Sequence, residues 1–179
     1  NSDDKIITNT VVNTDVYGGD GDDIIYIRAI ADKSKGEWTF TVGGDGSDTI
    51  TGSEGNDTIY GDFWGAHDHD LGNGDDTIFG GAGDDILNGG AGDDYIDAGS
   101  GDDKIYGGAG NDTLVQSGSG TQLFHGGGGT DTYVIDLSNF NLRDDFVGQV
   151  NLRTNFSGVH IDPDHELNDT IFSIENITL

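Results

Sequence analysis

The stretch GGAGDDILN-GGAGDDYID-AGSGDDKIY-GGAGNDTLV, residues 80–115, contains four consecutive nine-residue units with the same arrangement of residue types. The first six positions of each unit are rich in Gly, Asp and Asn, which form tight turns because they tolerate positive φ angles. The last three positions place one large apolar residue, the eighth, between two less constrained residues. This pattern predicts a turn followed by a strand of about three residues with one inward side chain.

The same unit recurs on both sides of this stretch. Near-complete copies lie at 18–26, 43–51, 52–60 and 126–134. Together with two irregular units, they predict a series of inward eighth-position residues that runs along the chain. This series is Ile25, Ile50, Ile59, Ile78, Leu87, Ile96, Ile105, Leu114, Leu123 and Tyr133.

The two irregular units are an interrupted one and a degenerate one. Residues 61–79 form a unit whose turn is opened by a ten-residue insert at 62–71. Residues 116–124 keep the spacing and the apolar Leu123, but Thr121 stands where the sixth-position Asp belongs. We expect any site that depends on Thr121 to be weak or missing.

A turn and a short strand that repeat in this way wind the chain into a solenoid with two units, or 18 residues, in each coil. No coil can bury its apolar residue alone, so stability must come from stacking. We therefore predict an all-β protein, a parallel β-roll of the right-handed β-solenoid type. Residues 1–42 hold N-terminal partial repeats and an extra strand or flap at 38–42, residues 43–134 form the roll, and residues 135–179 form a β-rich C-terminal cap.

The composition of the chain excludes several classes of partner and of binding site. The 179 residues contain 34 Asp and Glu against 7 Lys and Arg, which gives a net charge of −27, and 32 are Gly. Such a charge argues against nucleic acid or an anionic membrane surface as a partner. The absence of Cys excludes disulfides and thiolate metal sites, and no apolar run is long enough for membrane insertion. Composition alone is typical of a disordered acidic chain.

The repeated Asp residues change that interpretation. The sixth position holds Asp23, Asp48, Asp57, Asp76, Asp85, Asp94, Asp103, Asp112 and Asp131. Stacked coils bring these carboxylates together, and two like charges about 4 Å apart repel by roughly 4 kcal/mol at an effective dielectric near 20. Such a ladder requires a cation. Carboxylate and carbonyl oxygens with flexible geometry favour Ca²⁺ over Mg²⁺.

The units match G-G-x-G-x-D-x-U-x, and the chain resembles the RTX (repeats-in-toxin, haemolysin-type calcium-binding) domains of secreted bacterial proteins. The resemblance implies Ca²⁺ ions bound between same-side turns by the sixth-position Asp and by backbone carbonyls of the first five positions. A count of the stacked turn pairs gives about six or seven of these ions. Asp23 is the most separated of these Asp ligands, because residues 27–42 follow its unit. The implied carbonyl ligands are Gly43, Asp45, Gly52, Glu54, Gly80, Ala82, Gly83, Gly89, Ala91, Gly92, Gly99, Gly101, Gly107, Ala109, Gly110, Gly126 and Gly128.

The resemblance also implies a biological role. Its members are type I secretion substrates that stay unfolded in the low-calcium cytosol and fold outside the cell. We expect a monomeric, secreted or cell-surface module of a larger toxin, adhesin or enzyme, whose partners are Ca²⁺, the secretion machinery and the rest of the parent polypeptide.

Two alternative functions stay open, carbohydrate binding and the binding of further metal ions. The ninth-position aromatic residues could form a carbohydrate-binding surface on the same roll, and they are Tyr26, Tyr60, Phe79, Tyr106 and Phe124. The segments His67–Asp70 and His160–His165 could bind further metal ions, although solvated polar loops are the simpler interpretation. No G-x-S-x-G elbow or ordered Ser/His/Asp set occurs, so we expect no catalytic residues in this chain.

Overall fold

The structure is a computed structural model that describes residues 2–8, 14–28, 38–62, 74–136, 159–161 and 170–175. All the regular elements within these residues are strands. They are β1 Lys5–Thr8, β2 Thr14–Asp20, β3 Ile24–Ile27, β4 Trp38–Asp45, β5 Thr49–Thr51, β6 Asn56–Tyr60, β7 Thr77–Ala82, β8 Ile86–Ala91, β9 Tyr95–Ser100, β10 Lys104–Ala109, β11 Thr113–Gln116, β12 Gln122–Gly128, β13 Thr132–Asp136, β14 Val159–Ile161 and β15 Thr170–Glu175.

The strands alternate between two parallel sheets. The eight-stranded sheet has the order β1-β3-β5-β7-β9-β11-β13-β15, and the seven-stranded sheet has the order β14-β12-β10-β8-β6-β4-β2. Because consecutive strands lie in different sheets and each pairs with the strand two places away, the chain coils. The predicted parallel β-roll is confirmed.

A single row of apolar side chains fills the space between the sheets. Nine of the ten predicted inward residues are buried there, from Ile25 at one end to Tyr133 at the other, and Val16 of β2 extends the row. Each buried Ile or Leu contributes roughly 1.5–3 kcal/mol. Since one unit supplies only one such residue, the core exists only as a stack of coils.

The exception is Leu123, whose predicted inward position was wrong. Phe124 is the fully buried residue in β12, and its register partner in β10 is Ile105. Gln116 is an extra residue between units, so the degenerate unit occupies 117–125 rather than 116–124. Since Leu123 and Phe124 are adjacent and both apolar, the repeat pattern alone did not reveal this shift.

The ends of the roll continue the same two sheets. Strand β1 pairs in parallel with β3, and Trp38–Asp45 forms β4 between β2 and β6, so the segment predicted as an extra strand or a flap is a strand of the roll. Beyond the last repeat, β14 pairs with β12 and β15 with β13. The rest of the predicted cap at 135–179 lies outside the described residues.

Glycine is required where the coils touch. Gly108 has a φ of 124°, and a Cβ placed on it would fall within 3.0 Å of the Gly90 carbonyl of the preceding coil. A side chain there would therefore meet both backbone strain and a steric clash. These close backbone contacts bring the turns into two stacks, one at each edge of the roll.

Candidate metal centre

The sixth-position residues stack in two series, one for each stack of turns. In what we call the first column, the turns lead into strands of the eight-stranded sheet. Its residues are Asp23, Asp48, Asp76, Asp94, Asp112 and Asp131. In the second column, the turns lead into strands of the seven-stranded sheet. Its residues are Thr39, Asp57, Asp85, Asp103 and Gln122.

The first column forms an uninterrupted hydrogen-bond ladder. The backbone N–H of each Asp donates to Oδ1 of the Asp in the next coil, as from Asp48 to Asp76 (2.8 Å), from Asp76 to Asp94 (2.8 Å) and from Asp94 to Asp112 (2.9 Å). Asp4 joins the ladder through its N–H to Asp23 Oδ1 (2.7 Å). The insert before Asp76 does not break the series, so one oxygen of each carboxylate is satisfied by the fold.

The second carboxylate oxygen in this column is not satisfied by the fold. Among the described residues, Oδ2 is buried without a hydrogen-bond partner in Asp23, Asp48, Asp76, Asp94 and Asp112. A buried polar atom left unpaired costs roughly 1–3 kcal/mol, and more when it is charged. A repeated set of such atoms therefore indicates an additional ligand.

Backbone carbonyl oxygens lie close to the same unpaired Oδ2 atoms. A Cβ on Gly43 would fall within 3.0 Å of both Asp48 Oδ2 and the Gly61 carbonyl oxygen of the next coil. The equivalent oxygen pairs lie beside Gly18, Gly61, Gly89 and Gly107. Each first-position glycine thus leaves room for one carboxylate oxygen and one carbonyl oxygen from successive coils. Such hard oxygen donors fit Ca²⁺.

Burial and mutual repulsion change the acidity of these groups. Burial raises the pKa of Asp76 from 3.8 to about 9, with a smaller contribution from the charges of Asp94 and Asp48. Burial is also the main cause for the neighbouring groups, and it raises the pKa of Asp48 and of Asp94 to about 7 and that of Asp112 to about 6. Each carboxylate is therefore poorly stabilised in its charged form by the protein alone.

The second column uses protein donors at both of its ends. The hydroxyl of Thr39 donates to Asp57 Oδ1, and the Ser53 N–H donates to Asp57 Oδ2 (2.6 Å). At the other end, Gln122 Nε2 donates to Asp103 Oδ2 (3.2 Å) and to the Gly101 carbonyl (3.0 Å). An amide N–H group therefore joins a carboxylate oxygen to a carbonyl oxygen, as a cation would.

The middle of the second column resembles the first. Asp85 Oδ1 accepts the Asp57 N–H (2.9 Å), and Asp85 Oδ2 is buried without a partner. Beside Gly80, this oxygen and the Ala98 carbonyl both lie within 3.0 Å of the place a Cβ would take. Burial raises the pKa of Asp85 to about 8. In the described part of this column, Asp85 is the one sixth-position Asp with such an oxygen.

Thr121 is not the residue that replaces the sixth-position Asp. Strand register places Leu123 opposite Lys104, so Gln122 lies opposite Asp103 and is fully buried, whereas Thr121 is exposed. The expectation that this turn contributes no carboxylate is unchanged. The residue responsible is Gln122, displaced by the extra Gln116.

The predicted carbonyl ligands fall into groups. First-position carbonyls of Gly43, Gly89, Gly107 and Gly126 lie at the oxygen pairs described above. The Gly80 carbonyl forms a further pair with Asp57 Oδ2, beside Gly52. Third-position carbonyls accept N–H groups of the preceding coil and belong to Asp45, Ala91, Ala109 and Gly128. Carbonyls that lie against a glycine of the next coil belong to Gly83, Gly92, Gly99, Gly101 and Gly110. Ala82 donates its N–H to Ser53, and Glu54 is exposed.

Two first-position carbonyls, those of Gly61 and Ala98, were missed in the sequence. Gly61 directly precedes the insert, and Ala98 begins a unit that lacks the usual first glycine. The fifth-position acids are exposed and form a separate outer ladder, in which Asp75 accepts the Asp93 N–H (2.8 Å). This arrangement agrees with the backbone, rather than the side chain, facing inward at the fifth position.

The two histidine segments are the remaining predicted metal-binding candidates. His67–Asp70 lies outside the described residues, as do the side chains of His160–His165. Within the described ranges, no three His, Cys, Asp or Glu side chains are grouped closely enough to hold a metal ion. An ion in these turns would therefore need backbone carbonyls as well as carboxylates as ligands. No helix in the described part of the chain is long and apolar enough to cross a membrane.

Comparison with known families agrees with this geometry. The RTX calcium-binding nonapeptide repeat matches the chain in four copies, at residues 15–26, 42–63, 70–104 and 80–114. No curated protein and no solved structure matches the chain in the corresponding comparisons. The matched residues include most turns of both columns, so these turns belong to calcium-binding repeats.

Proposed function

We propose, from the premise that this chain carries an RTX calcium-binding domain, that Ca²⁺ makes the roll fold outside the cell as one module of a larger secreted protein. Calcium binding by the repeats is the premise. The proposal adds the coupling of binding to folding, the type I export and the parent polypeptide.

The observation that carries the proposal is the row of unpartnered Oδ2 atoms in the first column, from Asp23 to Asp112. These atoms become buried only when the coils stack. Bound Ca²⁺ would supply the positive charge that the column lacks. In the unfolded chain the same carboxylates are hydrated and far apart, so the chain has little reason to bind ions tightly before it folds.

The chain itself prepares the sites. The Asp N–H groups hold each Oδ1, the first-position glycines leave space beside each Oδ2, and a carbonyl of the next coil adds a second oxygen there. Since every coil contacts only its neighbours, one filled level favours the next, and folding should be cooperative. Each site contributes about 2.7 kcal/mol at a ligand concentration 100 times its Kd.

The coupling of Ca²⁺ binding to folding is compatible with export of the unfolded chain from the cell. Extracellular calcium modules bind at about 10⁻⁴–10⁻³ M, far above cytosolic Ca²⁺ concentrations. A chain with a formal charge of −27 and few basic residues would stay extended inside the cell and fold on release. We place no catalytic residue in this chain, so any enzymatic or toxic activity would belong to other parts of the parent protein.

Circular dichroism and small-angle scattering test the proposal. In chelator we expect an expanded chain with little β structure, and in millimolar Ca²⁺ a compact β-rich one, whereas Mg²⁺ at the same concentration should be much less effective. Spectra that stay the same throughout the Ca²⁺ titration would sink the proposal.

A carbohydrate-binding surface is a second candidate function. Tyr17, Phe40 and Tyr60 form a row on the outer face of the seven-stranded sheet, with ring centroids 6.2 and 5.7 Å apart. Tyr106 is a less suitable platform because it stacks on His125, and Phe124 is ruled out since it is buried. Loss of polysaccharide retention in Tyr60→Ala, with Ca²⁺-induced folding intact, would support this role. No retention of the wild type on neutral or acidic polysaccharides would count against it.

A further inference from the structure

Asp62 is a buried carboxylate that the nonapeptide repeat does not explain. It follows Gly61 and occupies the second position of its turn, where the other described first-column turns carry glycine. These glycines are Gly19, Gly44, Gly90, Gly108 and Gly127. The side chain of Asp62 is only 7% exposed, and its Oδ1 is buried without a hydrogen-bond partner.

The Asp62 side chain takes the place of a backbone carbonyl. In a regular turn, the second-position carbonyl lies against the second-position glycine of the next coil, as the Gly90 carbonyl lies against Gly108. At Gly90, the Asp62 carboxylate lies in the place where that carbonyl would be. Its Oδ2 accepts the Ala91 N–H (2.6 Å), as the Ser53 carbonyl accepts the Ala82 N–H in the second column.

The Asp62 carboxylate maintains the stacking of the coils as a backbone carbonyl does, and it adds a charge. A backbone carbonyl is neutral, whereas the Asp62 carboxylate has a second oxygen that the fold leaves unpaired. Its charge acts on Asp48, Asp76 and Asp94 and raises the pKa of each, and Asp45 of the neighbouring coil acts on Asp62. Its position follows from contacts with the next coil, because the Asp62 N–H donates to the Gly89 carbonyl (3.1 Å) and the carboxylate lies against Gly90. Asp62 therefore lies between the turn of Asp76 and the turn of Asp94.

We propose that Asp62 is an additional Ca²⁺ ligand of the first column, and that the level of the Asp76 turn therefore binds most tightly and fills first. The inference rests on the proposed function. It extends that function beyond the repeat, because the second position is glycine in the other first-column turns. Calcium affinity rises with the number of charged ligands. Since no three carboxylates are grouped in the described residues, Asp62 acts with one motif Asp and backbone carbonyls.

The two explanations of Asp62 predict opposite effects of removing its charge. Asp62→Asn keeps an oxygen that can accept the Ala91 N–H and deletes the charge. If Asp62 is a ligand, the variant loses affinity at the tightest site. If Asp62 is only a buried charge that repels its neighbours, the variant relieves that repulsion and folds at a lower Ca²⁺ concentration.

The experiment is calorimetric Ca²⁺ titration with a competing chelator on the wild type, Asp62→Asn and Asp75→Asn. Asp75 is the matched control because it lies in the same turn, carries the same charge and is exposed. We expect Asp62→Asn to weaken the tightest class of sites by about tenfold or more and Asp75→Asn to change it by less than about threefold, a typical effect of an exposed charge.

Unchanged or higher affinity in Asp62→Asn would overturn the inference while the proposed function stands. A wild-type chain that binds no Ca²⁺ would overturn both, so the two failures are distinguishable. Folding at saturating Ca²⁺ is checked by circular dichroism. If Asp62→Asn does not fold, Asp62→Gly, which restores the residue that the other turns carry, replaces it under the same criteria.

Discussion

The two columns of turns derive from one repeat, yet they satisfy their carboxylates differently. In the first column the fold satisfies Oδ1 and leaves Oδ2 of Asp48, Asp76 and Asp94 without a partner. In the second column, Ser53 and Gln122 supply N–H or O–H donors to the Oδ2 atoms at the two ends. A motif Asp is therefore a strong indication of a metal ligand only where the chain has not already provided a neutral donor for it.

This difference has an energetic consequence. Hydrogen bonds from Thr39 and Ser53 to Asp57, and from Gln122 to Asp103, lower the pKa of these carboxyls and offset part of the increase that burial causes. The first column has no such donors on its Oδ2 atoms in the described residues from Asp23 to Asp112. We therefore expect Ca²⁺ dependence to arise mainly from the first column, with Asp85 as the main contributor of the second.

The largest expected effect comes from pH in the absence of Ca²⁺. Burial raises the pKa of Asp112 to about 6, of Asp48 and Asp94 to about 7 and of Asp76 to about 9. Because the folded roll binds protons more tightly than the unfolded chain, its stability is fully present below pH 3.8. It is then lost as the pH rises through these values. In chelator, circular dichroism should show more folded roll near pH 4 than at pH 9.

Calcium should reverse that pH dependence, since ions and protons compete for the same oxygens. In saturating Ca²⁺ the roll should stay folded at neutral pH, and acidification should weaken ion binding. If the chelated chain were less folded at pH 4 than at pH 9, the first-column carboxylates would not be the groups that oppose folding.

The next largest effect should follow from filling the space beside a first-column carboxylate. In Gly89→Ala, the added Cβ would clash with Asp94 Oδ2 and the Gly107 carbonyl. We expect a loss of about 1–3 kcal/mol, typical of overpacking, and a higher Ca²⁺ midpoint of folding. Gly128→Ala is the control, because nothing lies within 4 Å of its Cβ. Equal thermal unfolding of the two variants in Ca²⁺ would contradict the proposed geometry.

Replacing one Asp in each column by Asn should give a smaller difference in the Ca²⁺ midpoint of folding. Asp94→Asn removes a carboxylate whose Oδ2 has no partner, whereas Asp103→Asn removes one whose Oδ2 already accepts a hydrogen bond from Gln122. We expect the Ca²⁺ midpoint to rise by about tenfold for Asp94→Asn and by less than about threefold for Asp103→Asn. Reversed midpoints in a circular dichroism titration would argue against the difference between columns.

The last change gives the end of the second column the character of the first. Gln122→Glu replaces the amide donor with a carboxylate facing Asp103. The new repulsion is roughly 1–4 kcal/mol, so the chain should fold less in chelator and its Ca²⁺ titration should become steeper. A titration curve that matches the wild type would mean that Gln122 does not replace an ion.

The predictability of this molecule from sequence differs between backbone and side-chain features. The spacing of Ile78, Leu87 and Ile96 correctly predicts the coil, because one inward residue every nine positions is a local pattern. The shift at Gln116 was missed since Leu123 and Phe124 are interchangeable in hydropathy. The protein donors to Asp57 were missed because Thr39 reaches it across a strand pair, 18 residues away. Asp62 was missed because it is the first residue of the insert at 62–71, outside the nine-residue pattern.

The most direct test of the two-column account is the number of Ca²⁺ ions bound per chain, measured by native mass spectrometry at saturating Ca²⁺. One variant carries Asp→Asn at Asp76, Asp94 and Asp112, and its matched partner carries Asp→Asn at Asp57, Asp85 and Asp103. We expect the first-column variant to lose the greater number of ions and to need more Ca²⁺ to fold. The second-column variant should lose mainly the ion at Asp85. Equal losses from the two variants, or a greater loss from the second column, would contradict the account.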